Sequence, residues 1–289
     1  MAAMPVDLVL IRSALMADPV GNVYMLADLQ PQYAPACRWH VQRQNEAIAV
    51  LLIYLGLEPP IILATGPEHL IADALNAADL PPALYMNVSE SVCDLLRHYY
   101  DFGDDIRYMS RMVLHYPRAS GDFTGGEPAD SAGHRPWWGD ALDAQLLAQG
   151  FRLVSLTTAD VARLEQLYAH GGDFTPDGFA AYQLEDGTFF GIETAAGELV
   201  ATGGTHVVDI TSRIAAVGNM YTQPQWRGRG LAKAVLGAIV AELYRRDIAH
   251  IVLNVDQRNN IARRLYEQMG FHVHCEYVEG NGVRHADPN

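Results

Sequence analysis

The sequence predicts an α+β C-terminal domain, in which helices flank a mixed sheet, preceded by a smaller α/β domain. Three observations lead to this prediction. The chain has 289 residues, which is enough for two domains. Residues 118–140 are rich in Gly, Pro, Ser and Asp and lack a periodic apolar pattern, which indicates a linker. Strand-like and helix-like segments alternate on both sides, so we predict domains at 1–117 and 150–289 with a linker at 118–149.

The first half shows helical spacing and then runs of aliphatic and β-branched residues. Leu8, Ile11 and Leu15 begin a pattern from which we predict a helix over 5–29. Strands are predicted at 47–57, 60–64, 84–88 and 106–115, and further helices at 67–78 and 91–100. The connection at 64–67 is not a glycine-rich turn of the phosphate-binding kind, so we expect a plain strand-to-helix connection.

The second half gives a clearer order of elements. Val161, Leu164 and Leu167 form one apolar stripe of a helix predicted over 158–170. Other helices are predicted at 179–184, 231–246 and 259–269, and strands at 151–156, 188–193, 199–208, 214–222, 250–255 and 271–277. Antiparallel strands that lead into a strand–helix–strand–helix–strand unit predict the mixed sheet.

Two tryptophans, Trp137 and Trp138, stand out within the polar linker. Aromatic pairs commonly bury their area, so we expect them to dock onto one of the domains. A substrate entrance lined by the pair is the alternative.

Composition narrows the classes of function. The net charge is −14 and the pI is near 5.1, and such a surface repels phosphate backbones and anionic lipid. We therefore expect no nucleic-acid and no membrane partner. The three cysteines form no CxxC pair, which argues against a disulfide framework or a zinc knuckle. With no signal-peptide pattern at the N-terminus, we expect a cytoplasmic protein.

A glycine-rich turn at 227–232 separates a predicted strand from a predicted helix. Gly228 and Gly230 allow a tight bend in which successive N–H groups point at one spot. The helix that follows adds the positive end of its dipole and unpaired first-turn donors. Arg227 and Arg229 add positive charge, so the pattern predicts a site for an anion of pyrophosphate size. A glycine pair before a helix also occurs in ordinary tight turns.

A second motif lies downstream in a short predicted helix. Asn259 occupies the place of an N-cap, and Gly270 ends the helix. The apolar stripe consists of Ala262, Leu265, Tyr266 and Met269.

The two motifs are Arg227-x-x-Gly230-x-Ala232 and Asn259-x-x-Ala262-x-x-Leu265-Tyr266-x-x-x-Gly270-Phe271. In order and spacing they resemble the GNAT superfamily of N-acetyltransferases, and the resemblance covers residues 151–278. It implies a GNAT-type mixed sheet, acetyl-CoA as co-substrate, no metal, and direct attack by a primary amine of a small molecule. The donor-binding residues that it implies are Met220, Tyr221, Thr222, Arg227, Gly228, Arg229, Gly230, Leu231, Ala232 and Asn259.

The resemblance also implies individual roles. Amides at 227–232 would hold the pyrophosphate, while the strand backbone near Met220 and Thr222 would pair with the pantetheine arm. Asn259 would contact the same arm, and Tyr266 would protonate the leaving thiolate. From the residues alone, Asn259 is equally well a helix cap. Tyr266 could be a core aromatic, but its position in the second motif favours the functional role.

One part of the family pattern fails. Many GNAT enzymes carry a glutamate general base on the strand before the turn, and that place falls near Ala216. Alanine cannot accept a proton, so the base lies elsewhere or acts through water. His206 is our first candidate because imidazole titrates near working pH, followed by Glu193 and Asp209. A lone strand histidine is also commonly structural.

The pair His272 and His274 has a spacing that could suggest a metal site. Apolar residues alternate with polar ones from Phe271 to Tyr277, which is typical of a half-buried strand with a polar outer face. We therefore expect no metal at this pair.

Other interpretations stay open. A non-catalytic acyl-CoA sensor would keep the turn and lose the base. A nicotinamide-binding domain is disfavoured because the turn lacks the complete GxGxxG pattern. The first half is compatible with a degenerate GNAT-like copy that does not bind CoA and builds one wall of the acceptor pocket. The acceptor's identity and a homodimer are left open by the sequence.

Overall fold

The computed structural model describes residues 7–115, 146–176 and 178–286. The chain forms two compact units. The first unit comprises residues 1–112, 255–263 and 273–289, and the second comprises 113–254 and 264–272. Trp137 and Trp138 lie outside the described residues, so their docking stays a prediction.

The first unit is an α/β unit. Its helices are α1 (Leu8–Leu15), α2 (Val23–Ala27), α3 (Glu68–Ala77) and α4 (Glu90–Leu96). Its strands are β1 (Cys37–Gln44), β2 (Ala47–Tyr54), β3 (Ile61–Thr65), β4 (Ala83–Val88), β5 (Tyr100–Asp101), most of β6 (Arg107–His115) and nearly all of β12 (His272–Arg284). The strand order is β1-β2-β3-β4-β12-β6, with β5 paired to β12. Strand β3 is parallel to β4, and β2 lies between β1 and β3 and is antiparallel to both.

Strand β2 shows why the apolar run in the first half forms a strand. Its residues alternate between two cores, with Leu51 and Ile53 on the side of α3 and α4. Val50 and Leu52 pack on the opposite side with α1 and α2. Both faces of the strand are buried, so the sequence shows a continuous apolar run instead of alternation.

Two predictions for this half were wrong. The helix predicted over 5–29 is interrupted after Leu15, because the chain turns where the Gly21 amide donates to the Asp18 carboxylate. A second short helix, α2, supplies the later apolar residues. Strand β1 was not predicted because it is a mostly polar strand at the end of the strand order, paired only with β2.

The second unit contains the mixed sheet. Its helices are α5 (Val161–Tyr168), α6 (Gln183–Asp186), α7 (Leu231–Arg245) and part of α8 (Asn260–Gln268). Its strands are β7 (Phe151–Ser155), β8 (Phe190–Thr194), β9 (Leu199–Asp209), β10 (Ile214–Thr222) and most of β11 (His250–Asp256). The order is β11-β10-β9-β8-β7. Only the β10–β11 pair is parallel in this series, so the sheet is mixed, as predicted.

Helices cover both faces of this sheet. On one face, Val235 of α7 packs against Gly203 of β9, where a side chain would lie only 3.1 Å from it. On the other face, Leu164 and Leu167 of α5 form a core with Tyr221 of β10. The predicted α+β class with flanking helices is confirmed. Within the described helices, none is long and apolar enough to cross a membrane.

The two units share one succession of elements. Three antiparallel strands, β1 to β3 or β8 to β10, lead through one helix to a strand parallel to the third. The predicted domain 150–289 differs from these units, because residues 255–263 and 273–289 group with the first one. The predicted domains 1–117 and 150–289 therefore do not coincide with the two compact units, and they stay a prediction.

Candidate active site

A gap between two parallel strands forms the centre of the site. Strands β10 and β11 pair only from Ile214–His250 to Val217–Leu253. Strand β10 nevertheless continues to Thr222 and β11 to Asp256. Among the described residues, β10 and β11 no longer pair with each other beyond Val217, so this edge of β10 can pair with another extended molecule.

Two irregularities in the pairing of β9 with β10 shape this region. The first leaves His206 as an extra residue, because Ala216 pairs with Val207 and Val217 pairs with Thr205. The second lies between Gly218 and Tyr221, where β10 carries the extra residue. Such bulges bend a strand and turn its side chains.

The predicted turn follows directly after β10. A 3-10 turn at Pro224–Trp226 precedes it, and Gly228 and Gly230 have φ values of 76° and 79°. Nothing lies within 4 Å of a Cβ built on either glycine, so the left-handed backbone, and not lack of space, favours glycine there. Gly230 is the N-cap of α7.

The turn presents unpaired donors. Within the described part of the chain, no acceptor bonds the amides of Gly230, Leu231 and Ala232. They lie at the positive end of a 15-residue helix, where an anion is favoured. The described backbone therefore presents three unpaired amides at the predicted turn, and anion binding there stays a prediction.

Side chains beside the turn add charge and stacking. The exposed Arg227 donates from Nε to the Thr222 carbonyl at 3.1 Å. The Arg229 guanidinium lies 4.9 Å from the centre of the Trp226 ring. Two buried atoms close to the turn, Thr222 Oγ1 and Trp226 Nε1, have no hydrogen-bond partner. Buried polar atoms normally have a hydrogen-bond partner, and these two have none among the described residues.

The three strand residues predicted to meet the donor occupy different places. The Met220 sulfur fills the space beside Gly203 that a side chain there would take. The Tyr221 hydroxyl donates to the Gly171 carbonyl at 2.7 Å, and its ring lies in the core. The amide of Gln223 donates to β9, so the peptide groups of Thr222 point away from β9, toward the gap.

Tyr266 of α8 is a buried aromatic residue with an unbonded hydroxyl. Its ring is 6% exposed and packs against Phe271, with 6.2 Å between ring centres. Burial raises the pKa of Tyr266 to about 12, so the hydroxyl stays protonated at neutral pH. Its oxygen has no hydrogen-bond partner among the residues that the structure describes. The ring of Tyr266 therefore belongs to the core, and its hydroxyl carries a proton. A role of this hydroxyl in catalysis stays a prediction.

Asn259 has a structural bond. Its Oδ1 accepts from the Ala262 amide at 3.1 Å, which is an N-cap interaction for α8. The cap interpretation is thus present in the structure, and contact with a pantetheine arm stays a prediction.

His206 lies close to the empty base position. Its ring covers Gly218 on β10, where any side chain would collide with the imidazole. Gly218 is two residues from Ala216 on the same strand, so both positions face the same way. The glycine therefore makes room for a histidine that belongs to the neighbouring strand.

The other two candidates for the general base, Glu193 and Asp209, both accept hydrogen bonds from neighbouring residues. Glu193 accepts from Arg152 and Arg163, each at 2.5 Å. Burial would raise the pKa of Glu193, but these two guanidinium bonds outweigh it and lower the pKa below its ordinary value. Asp209 Oδ1 accepts from the amides of Thr211 and Ser212 in the β9–β10 turn. The choice of His206 as the base stays a prediction.

The pair His272 and His274 lies on the outer side of β12. Both are exposed, and they alternate with the partly buried Val273 and Cys275. His274 Nε2 bonds Asp18 at 2.8 Å. Across the described ranges, no group of three or more His, Cys, Asp or Glu residues could hold a metal ion.

The sequence analysis missed one buried residue of the site, Asn219. It sits in the second irregularity of β10 with φ of 54° and is 5% exposed. The dipeptide Gly218-Asn219 inside an apolar strand was a usable signal, because glycine and asparagine in a strand interior indicate a bulge. Its contacts, with Tyr168 and Gln183, are remote in sequence and carry no such signal.

Comparison with known proteins identifies the second half. Residues 153–271 match the Acetyltransferase (GNAT) family. Over 53 residues the chain is 38% identical to the ribosomal protein bS18-alanine N-acetyltransferase of Haemophilus ducreyi, a match that covers 18% of this chain and 37% of that relative. The chain therefore spans well under half the length of this curated relative.

Solved structures resemble the whole chain in fold. A Drosophila protein has a TM-score of 0.65 at 13% identity, covering 97% of each chain. A tandem GNAT protein from the clavulanic acid biosynthesis pathway has a TM-score of 0.55 at 14% identity, covering 98% of this chain and 95% of that one. At such identities the likeness shows the fold alone.

The family match agrees with the geometry described above. GNAT proteins generally use acetyl-CoA as co-substrate. The turn at 227–232 and the strand gap both lie within the matched residues. The chain therefore carries a GNAT-family acetyltransferase domain over residues 153–271.

Proposed function

We propose that this protein transfers the acetyl group of acetyl-CoA to a primary amine of a small molecule. The observation that carries the proposal is the position of the unpaired amides of Gly230, Leu231 and Ala232. They follow the open segment of β10 directly, so one extended molecule with an anionic end would satisfy both. A pyrophosphate attached to an amide-containing arm has this chemistry.

The proposed donor contacts follow from the free backbone groups. The amides at the start of α7 bind the pyrophosphate, with Arg227 and Arg229 supplying positive charge. The pantetheine amides pair with β10 through the peptide groups around Thr222, where β11 no longer pairs. The thioester then lies toward Val217, the last residue of β10 that pairs with β11.

The proposed chemistry needs a proton acceptor and a proton donor. The neutral amine attacks the thioester carbon, a C–N bond forms and the C–S bond breaks. His206 takes the proton that the amine nitrogen loses. Tyr266, protonated at neutral pH, hydrogen-bonds the departing sulfur and stabilises the thiolate.

The acceptor class has two members of the same chemistry. A free small amine is the proposed acceptor. The curated relative is named for an alanine of a ribosomal protein, which makes a peptide with an N-terminal alanine the second candidate. Both present a primary amine, so one assay can include both.

The first unit is proposed to be a degenerate GNAT-like copy. It repeats the order of strands, but its connection is Gly66-Pro67-Glu68. A Cβ at Gly66 would lie 2.5 Å from the Ile48 carbonyl oxygen, so this glycine permits close packing. Pro67 has no amide proton, and Glu68 places negative charge in the first turn of α3. We therefore expect no CoA binding in this unit.

Binding and turnover together test the proposed function. Binding is measured as the thermal shift that acetyl-CoA produces. Turnover is measured as thiol release with benzylamine, alaninamide or an alanyl tripeptide as the amine. The proposal expects stabilisation by acetyl-CoA and amine-dependent thiol release. Stabilisation without release from any amine would favour the acyl-CoA sensor, and absence of stabilisation would contradict donor binding.

The turn glycine provides a test of the donor site. Gly230→Ala places a Cβ at φ of 79°, which costs about 1 kcal/mol and shifts the amides that bind the anion. We expect the Kd for CoA, measured by calorimetry, to rise about tenfold or more. Gly150→Ala is the matched control, with φ of 80° and the same open space. It should lose similar stability and keep its CoA affinity; equal loss of affinity in both variants would contradict the site.

His206 is tested by separating turnover from binding. His206→Ala should lower kcat by about a hundredfold or more, since general bases contribute of that order. The Kd for acetyl-CoA should stay unchanged. His98→Ala, an exposed histidine of the first unit, is the control and should keep both values. Unchanged turnover in His206→Ala would remove it as the base.

Tyr266 is tested by combining stability with rate. Its hydroxyl makes no hydrogen bond, so Tyr266→Phe should keep the free energy of unfolding while kcat falls about tenfold or more. Tyr100→Phe is the reciprocal control, because its hydroxyl donates to the Pro81 carbonyl at 2.7 Å. That variant should lose about 1 kcal/mol of stability and keep kcat. An unchanged kcat in Tyr266→Phe would assign its ring to the core only.

A further inference from the structure

Asn219 lies at the opening of the strand gap. It follows Val217, the last residue of β10 that pairs with β11, by two positions. Its φ of 54° places it in the left-handed region, which asparagine tolerates better than most residues. Its carbonyl accepts from the Tyr168 hydroxyl at 3.1 Å, which holds the backbone of the bulge in place.

The orientation of the Asn219 amide is fixed by a chain of hydrogen bonds. Gln183 Nε2 donates to the Gly178 carbonyl at 3.2 Å, and Gln183 Oε1 accepts from the Ala180 amide at 3.3 Å. These backbone partners determine which end of the Gln183 amide is oxygen. That oxygen also accepts from Asn219 Nδ2 at 2.7 Å. The Asn219 Oδ1 atom must therefore point elsewhere.

This Oδ1 atom is buried and accepts no hydrogen bond within the described structure. Asn219 as a whole is 5% exposed, so water does not freely replace the missing donor. Thr222 Oγ1 and Trp226 Nε1, along the same segment, are in the same condition. Buried orphan atoms clustered in one short segment indicate a place that a ligand completes.

The neighbours of Asn219 favour an acceptor amine as that ligand. The His206 ring covers Gly218, the residue directly before Asn219. Tyr168 of α5 and Gln183 of α6 contact Asn219, whereas α7 packs on the other face of the sheet. An orphan acceptor beside the proposed base suits a group that carries N–H bonds.

We propose that Asn219 Oδ1 accepts one N–H of the attacking amine and thereby selects primary amines; this rests on the function proposed above. When a primary amine attacks, its nitrogen carries two hydrogens. One leaves as a proton to His206, and the other stays on the product amide and bonds Asn219. A secondary amine has only one hydrogen, which must leave, so Asn219 Oδ1 would again be unpaired.

The test compares each primary amine with its N-methyl derivative. The probe pairs are benzylamine with N-methylbenzylamine, and alaninamide with the derivative that is methylated on its α-amine. The wild-type protein should prefer the primary member. Asn219→Gly keeps the positive φ without strain and removes the oxygen. We expect kcat/KM for the primary amine to fall about ten- to a hundredfold, while the value for the secondary amine changes little.

Two further variants keep the test decisive. Asn219→Asp retains an acceptor oxygen and tolerates the left-handed backbone, but it loses the Nδ2 donor and places a second oxygen against Gln183 Oε1. It should therefore lower kcat/KM for the primary amine less than Asn219→Gly does. Ser110→Ala removes another buried orphan hydroxyl, in the first unit, and should leave the preference unchanged. The Kd for acetyl-CoA is measured for each variant to confirm a folded donor site.

The outcomes separate the two proposals. An Asn219→Gly variant that binds acetyl-CoA and keeps the wild-type preference would overturn the role of Asn219. If that variant does not fold, a wild-type protein with equal kcat/KM for the primary amine and its N-methyl derivative would overturn it as well. A wild-type protein that binds acetyl-CoA and acetylates no amine would instead overturn the proposed function.

Discussion

The short parallel pairing of β10 with β11 is the constraint on which the site depends. Four residue pairs hold the strands together, and beyond Val217 their facing peptide groups have no strand partner. A sheet interior cannot leave such groups unpaired without cost, so this opening must be completed by another extended molecule or by water. The bulge at Asn219 and the turn at 227–232 both lie beyond Val217 along the chain. The bulge bends β10 where its pairing with β11 has ended, and the turn places amide donors just after the end of β10.

The two units show that topology alone does not make a donor site. In the first unit β3 and β4 also pair over a short length, from Ile61–Tyr85 to Ile62–Met86. What differs is the connection into the next helix, where Pro67 and Glu68 replace amide donors and positive charge. Anion binding thus depends on a few backbone groups at a helix start, and the same strand order can exist without it.

How much the sequence could predict depends on the range of each interaction. The turn at 227–232 and the stripe of α8 could be predicted because glycine spacing and helical periodicity are local. The helix over 5–29 failed because apolar residues of two short helices mimic one long pattern. Asn219 was missed because its burial and orientation depend on Gln183, which is 36 positions away, and on a register shift between strands. Neither property is encoded in neighbouring residues.

The missing glutamate near Ala216 is explained by the same register. The irregular pairing inserts His206 into β9 opposite Ala216 and Val217, and Gly218 leaves space for its ring. In the proposed reaction the base therefore comes from β9 and the amine-binding oxygen from β10, so their separation is set by strand register. A substitution that shifts this register would move the base relative to the acceptor without touching either side chain. Under the proposed mechanism, the small residues Ala216 and Gly218 are compatible with catalysis, because β10 needs no base of its own when the His206 side chain from β9 fills the space at Gly218.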